Sequence, residues 1–317
     1  MTEAYRNGFL GERAMSAYVA WCRYRIGQRR RAPRLPPPPT RTLVGVWGGL
    51  GAHVALAQLC EGRVPEPLWR RFAAGFAHGN AGDFFLGTAG AVPALALAAA
   101  SRGVAAARLA RAVRPRIARH LRAELARHAR GQPISLGFAH GLAGALVAYD
   151  IASVLLGRAG GELRARTIDT LLDCARPTPD GATWPNRSHD ARGTSLHALC
   201  NGGPGICLAA LLGMRYTGDP RYAELAELAL ATVATVTPTS ASLCCGTLGR
   251  VEVLVEAYRT TGDTALLALA RDLFGDVDRT KLGTPGWQHG TLGHDFTALR
   301  LAAPDDVDLP ALPLAIT

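Results

Sequence analysis

Two glycines three residues apart, followed by an apolar stretch, recur six times along this chain: GGLG at 48–51, GTAG at 87–90, GLAG at 141–144, GGPG at 202–205, and GTLG at 246–249 and 290–293. The last three begin 44 residues apart, and a second marker, TGD at 217–219 and 261–263, keeps the same interval. Self-similarity at a fixed period of this size marks a repeat architecture, in which each unit buries its apolar face against its neighbours.

Each unit holds two kinds of helical segment. PRYAELAELALATVATV (220–236) and ALLALARDLFGDV (265–277) space apolar residues three or four apart, which predicts helices with one buried face. GICLAALLGM and GALVAYDIAS, which follow the glycines, are apolar nearly all round and predict helices surrounded by protein. An outer and an inner helix per repeat imply an all-α fold, a double-layered α/α toroid of about six to seven helical hairpins with the G-x-x-G motifs at the inner-helix starts. With 48% hydrophobic but only 6% aromatic residues, the chain suits helices packed through small side chains. Residues 1–40 are basic and end in Pro36–Pro39, a run that favours extended backbone, so the expected division is an N-terminal segment 1–40 and one domain 41–317.

The net charge of +10 is unevenly spread. Residues 1–41 hold nine Arg against two Glu, residues 101–130 hold nine Arg against one Glu, and Lys281 is the sole lysine. Arg in place of Lys throughout is a composition bias rather than a nucleic-acid signal, and an acidic peptide suits the basic stretches at least as well. The stretch 102–130 is expected to be an outer helix broken or kinked near Pro115. No apolar h-region opens the chain, and the seven Cys (22, 60, 174, 200, 207, 244, 245) are odd in number, which points to a reduced, cytoplasmic setting. The most apolar stretch, 87–100, contains Pro93 and falls short of the ~20 residues a membrane span needs.

The repeat also assigns the chemistry. The residues just ahead of each first glycine are Trp47, Leu86, His140, Asn201, Cys245 and His289, and in a closed ring these inner-helix starts face one cavity. Cys200 and Cys244 stand one residue earlier in consecutive units, with Cys245 beside the latter, so three distant thiols become neighbours. Three Cys suit one Zn²⁺ with an open fourth position, the arrangement that activates an incoming thiol. Helix N-termini and the cation both favour the thiolate form. Cys22, Cys60, Cys174 and Cys207 show no such register and read as ordinary core residues. His289 shares the register of Cys245, and remains open as a fourth ligand or a second proton carrier. His197, three residues before Cys200, is a candidate neighbour of the metal, and His78 reads as a loop residue.

GDFFLGTAG (82–90), LGFAHGLAGAL (136–146), LCNGGPGI (199–206) and LCCGTLGR (243–250) together resemble the lanthionine synthetase C-like cyclases over about residues 42–300. That family adds peptide Cys thiols to dehydroalanine or dehydrobutyrine to form thioether rings. The resemblance implies that Cys200, Cys244 and Cys245 hold zinc, that His140 moves a proton, and that Asp83 supports it. A thiol addition leaves an enolate to be protonated at Cα, work for which imidazole is suited. The pair Cys244–Cys245 with Asn201 looks most like the cyclase domains of class II lanthipeptide synthetases. Two positions depart from the family pattern: Leu199 stands where Trp is usual, and Leu196 where Arg is frequent, both bearing on substrate positioning. No counterpart of those synthetases' dehydratase region is expected within these residues. The implied partners are therefore a ribosomally made precursor peptide with an acidic leader, for which the Arg-rich stretch is a docking candidate, and a separate dehydratase. Addition of glutathione or another free thiol to dehydro residues, or a non-catalytic zinc-bound scaffold, are the alternatives.

Overall fold

Burial all round one helix and along one face of the next is the pattern that builds this molecule. In a computed structural model that describes residues 44–45, 49–76, 79–190, 197–235, 240–283 and 287–309, the chain is mostly helical. Residues 1–40, Trp47, His78 and Leu196 lie outside the described residues. Helices α1 (Leu50–Glu61) and α2 (Glu66–Phe76) come first, followed by α3 (Val92–Ala129), α4 (Leu142–Leu155) and α5 (Gly161–Asp173). Then come α6 (Gly203–Thr217), α7 (Arg221–Thr235), α8 (Thr247–Thr261), α9 (Thr264–Gly275) and α10 (Thr291–Ala302).

Every residue of α4 from Leu142 to Ser153 is buried, and α6 and α8 are buried nearly as completely. The helices that follow them bury one stripe each, such as Tyr222, Leu225, Ala226, Ala229 and Val233 of α7. Along the chain α1, α3, α4, α6, α8 and α10 touch one another in sequence order, while α5, α7 and α9 pack outside α4, α6 and α8. This is the expected two-layer arrangement of helical hairpins.

The paired glycines make that packing possible. Gly141, Gly246 and Gly290 cap their helices in extended backbone, and only Gly202 needs a glycine conformation, at φ 110°. Lack of a side chain is the common requirement. A Cβ on the second glycine (Gly90, Gly144, Gly205, Gly249, Gly293) would strike the carbonyl of Phe84, Phe138, Leu199, Leu243 or Trp287, always six residues back. TGD serves geometry too. Gly218 and Gly262 close α6 and α8 in the left-handed region, Asp219 and Asp263 accept from N–H groups two residues on, and Thr217 and Thr261 back-bond one turn.

Three expectations shift. Gly49 rather than Gly48 caps α1, so Gly48 and not Trp47 stands ahead of the cap, outside the described residues. Helical backbone passes through Pro115, and the break in α3 falls at Gly103 (φ 22°, ψ −98°). There the chain reverses: Ser101 and Arg102 bond Gln58 and Val64 at the α1–α2 turn, whereas Arg116 returns to Phe76 and Gly79 at the other end of α2. Length and composition alone would let the helical run Ala89–Ala129 cross a membrane, but this reversal divides it into limbs 92–102 and 104–129. A two-stranded hairpin, Arg176–Thr178 against Gly181–Thr183, also interrupts the helices, held by the Thr232 hydroxyl on the Ala182 carbonyl.

Between α8 and α10 lies a buried ion network. Arg300 meets Glu252 and Glu256, and Arg215 Nη2 reaches Glu256 at 2.6 Å. Burial opposes the charge on Glu256, yet Arg300, Arg215 and Arg259 hold its carboxyl below the ordinary range.

Candidate metal centre

The loops that enter successive inner helices are stitched into a ladder by backbone bonds. Phe85 N–H donates to the Ala139 carbonyl at 3.1 Å, Ala139 N–H to Cys200 at 2.9 Å, Cys200 N–H to Cys244 at 3.3 Å, and Cys244 N–H to Gln288 at 3.0 Å. Ala139, Cys200, Cys244 and Gln288 each stand two residues before a capping glycine, so equal register in sequence becomes adjacency in space.

On this ladder the Sγ atoms of Cys200, Cys244 and Cys245 all lie within 4.8 Å of one another, with Cys200 and Cys245 at 3.7 Å. Four sulfurs about 2.3 Å from a tetrahedral zinc are about 3.8 Å apart, so the donor set fits that ion. Cys200 and Cys244 are partly buried and Cys245 is exposed, which leaves the cluster open on one side. His289 is exposed and stands outside the group of ligand atoms.

The three thiols are pushed in opposite directions. A hydrogen bond from Cys244, helped by one from Cys245 and by the backbone N–H groups of Cys200 and Asn201, pulls the Cys200 thiol down to about 6 against the cost of burial. Cys244 is pushed well up, first by its hydrogen bond with Cys200 and then by burial, and Cys245 is pushed up chiefly by burial. One thiol is favoured as thiolate at the expense of the other two, and a cation is what would let all three ionise. Helix ends supply less than their position suggests. The first N–H groups of α8 donate to the carbonyls of Ser240 and Ala241 in the incoming loop, and those of α4 to Ser135 and Leu136.

One rung away, His140 Nδ1 meets Asp83 Oδ2 at 2.9 Å, and Asp83 Oδ1 accepts the Leu86 N–H at 2.7 Å. Asp83 is thereby held from both oxygens, and Nε2 of the half-exposed His140 is left for another molecule. Asp83 sits in a helix-free segment, 79–88, folded by Asn80 and seated on α3 where Gly82 meets the His120 ring.

Several residues change meaning in three dimensions. Leu199, in place of the expected Trp, is 2% exposed and belongs to the core row with Phe84, Phe138 and Leu243, its Cβ close to where one on Gly249 would stand. It packs hairpins rather than lining the opening. Asn201 was legible as a residue in register and as part of the family resemblance, but not by its contacts. Its buried Oδ1 has no partner among the described residues and occupies the space that a Cβ on Gly137 would need, a constraint that the glycine alone hints at. His197 pairs through its backbone with Gly202, and burial and then Arg250 push its imidazole down. Burial pushes Cys174 up to about 11 and Cys207 up further, as inert core thiols require, while Cys22 and the Cys60 side chain lie outside the described residues.

Fold and site together define a class: a two-layered helical-hairpin protein with an open three-thiol centre beside a carboxylate-held histidine. A family model described as lanthionine synthetase C-like protein matches residues 83–295, about two thirds of the chain, and the protein belongs to that family. A solved structure described as nisin cyclase shares the fold at a TM-score of 0.65 and 14% identity, covering 94% of this chain and 84% of that one. The comparison with curated proteins gave no match.

Proposed function

We propose that the protein is a zinc-dependent thioether-forming cyclase. It would add Cys thiols of a dehydrated ribosomal peptide to dehydroalanine or dehydrobutyrine. The observation that carries this reading is the convergence of Cys200, Cys244 and Cys245 one ladder rung from the His140–Asp83 pair. Membership of a family of lanthionine synthetase C-like proteins supports it. In this reading the hairpins close into an α/α toroid over residues 41–317, and the adjacent Cys244 and Cys245 with Asn201 align the chain with class II cyclase domains.

Cys200, Cys244 and Cys245 would hold Zn²⁺. When bound, that ion supplies Lewis acidity that keeps an incoming thiol deprotonated near neutral pH. The peptide sulfur bonds to Cβ of the dehydro residue, the double-bond electrons move toward Cα and the carbonyl, and His140 delivers the proton that Cα takes up. Asp83 fixes the imidazole through Nδ1, so Nε2 is the atom that moves the proton. The thiol proton lost and the Cα proton gained balance, so ring formation leaves the peptide mass unchanged. The partners in this reading are a precursor peptide with an acidic leader and a separate dehydratase, in a reducing cytoplasm.

Incubation with a dehydrated, Cys-containing peptide tests the proposal. Cyclisation should block thiol alkylation at constant mass, faster than without protein. An adduct formed only with added glutathione would move the assignment to free-thiol addition, and no rate above background would leave a scaffold.

A further inference from the structure

Limb 104–129 of α3 carries more unpaired charge than the fold uses. Arg114 and Arg116 are spent on contacts with α4 and the end of α2, and Arg127 pairs with Glu124. Arg108, Arg111, Arg119, Arg122 and Arg130 are exposed, and none has an ion-pair or hydrogen-bonding side-chain partner among the described residues.

Their spacing is regular. Arg108, Arg119 and Arg130 are eleven residues apart, as are Arg111 and Arg122. Eleven residues make about three helical turns, so the five residues share one face of the limb, in clusters about 16 Å apart. The row also has a direction. Limb 104–129 begins at the α1–α2 turn and reaches the metal-centre end, where the His120 ring lies on Gly82 beside Asp83 and Arg127 bonds the Pro133 carbonyl.

We infer that this row is a docking track for an acidic peptide segment, helical and bearing carboxylates every eleven residues, that leads toward the loop carrying His140 and Asp83. That the docked segment delivers a reacting residue rests on the cyclase reading; the docking itself does not. Charge complementarity and equal spacing favour a helical peptide. Nucleic acid carries a phosphate far more often, about every 1.7 Å of duplex axis, and no aromatic side chain is interleaved in the row to stack on bases. The chain's own N-terminal segment, with nine Arg against two Glu in residues 1–41, has the wrong sign to occupy the track.

The test uses the full chain and a labelled synthetic helix of about 24 residues with Glu pairs at eleven-residue spacing, read by fluorescence anisotropy. It should bind more tightly than a permuted peptide of the same composition, weaken with salt, and lose about tenfold in affinity against R119E/R122E. The same variant should keep its zinc content and its rate on a short peptide without an acidic segment. Equal binding of the permuted peptide, unchanged affinity of the variant, or tighter binding of an oligonucleotide of matched charge would overturn the inference. Failure of the cyclisation assay with docking intact would remove only the cyclase reading.

Discussion

The two halves of the ladder make the same backbone joints from very different regularity. From Cys200 onward the units keep a strict interval, with capping glycines at Gly202, Gly246 and Gly290 and matched TGD turns after α6 and α8, and this half supplies all three thiols. Before it, Gly49 slips by one position, a 3-10 turn at Ala89–Ala91 delays α3, and Asp83 hangs on a helix-free segment. A metal set needs three donors at fixed separation, which an exact repeat supplies. A proton carrier needs one histidine held by one carboxylate, which an irregular loop can shape.

Substitution should separate the halves most clearly in function. Cys244→Ala is expected to abolish near-stoichiometric zinc binding, read by metal analysis of reduced protein. His140→Ala should keep the zinc and lower the cyclisation rate by about 10² to 10⁴. If His140→Ala lost the metal as well, the division of labour would be wrong. Next in size, Arg300→Met leaves Glu252 and Glu256 buried beside an apolar side chain, and should cost about 3–5 kcal/mol in urea unfolding. That loss is expected in the regular half, where α8 and α10 meet. The smallest effect is a titration. In metal-free protein Cys200 is depressed to about 6, so its alkylation should stay near its plateau from pH 8 down to about 7 and fall away below pH 6. An ordinary thiol loses reactivity from about pH 8.5 downward. Cys244→Ala removes the leading hydrogen bond to Cys200 and should move that fall to higher pH.

Much of the site was legible because register is a one-dimensional property. Cys200 and Cys244 differ by one period, and Ala139, one residue before His140, stands at the same offset from its own glycine pair, so aligning the glycine motifs was enough to bring them together. The bend in α3 was misplaced because Pro115 removes a donor without forbidding helical dihedrals, whereas Gly103 adopts a backbone that other residues avoid. The two short strands escaped notice because Arg176–Thr183 carries no alternation long enough to read. Leu199 looked like a missing contact with substrate, yet its place in the core row shows a packing position.

Sequence alone determined the hairpin repeat, the layer to which each helix belongs and the three thiols, since periodicity and apolar pattern are carried by the order of residues. Tertiary structure decided the direction in which each thiol is perturbed, which histidine is held by a carboxylate, and which arginines lack a partner among the described residues. Those depend on desolvation and on atoms from distant segments. The downward push on Cys200 comes first from Cys244, a residue of the next hairpin, and no count along the chain contains that effect.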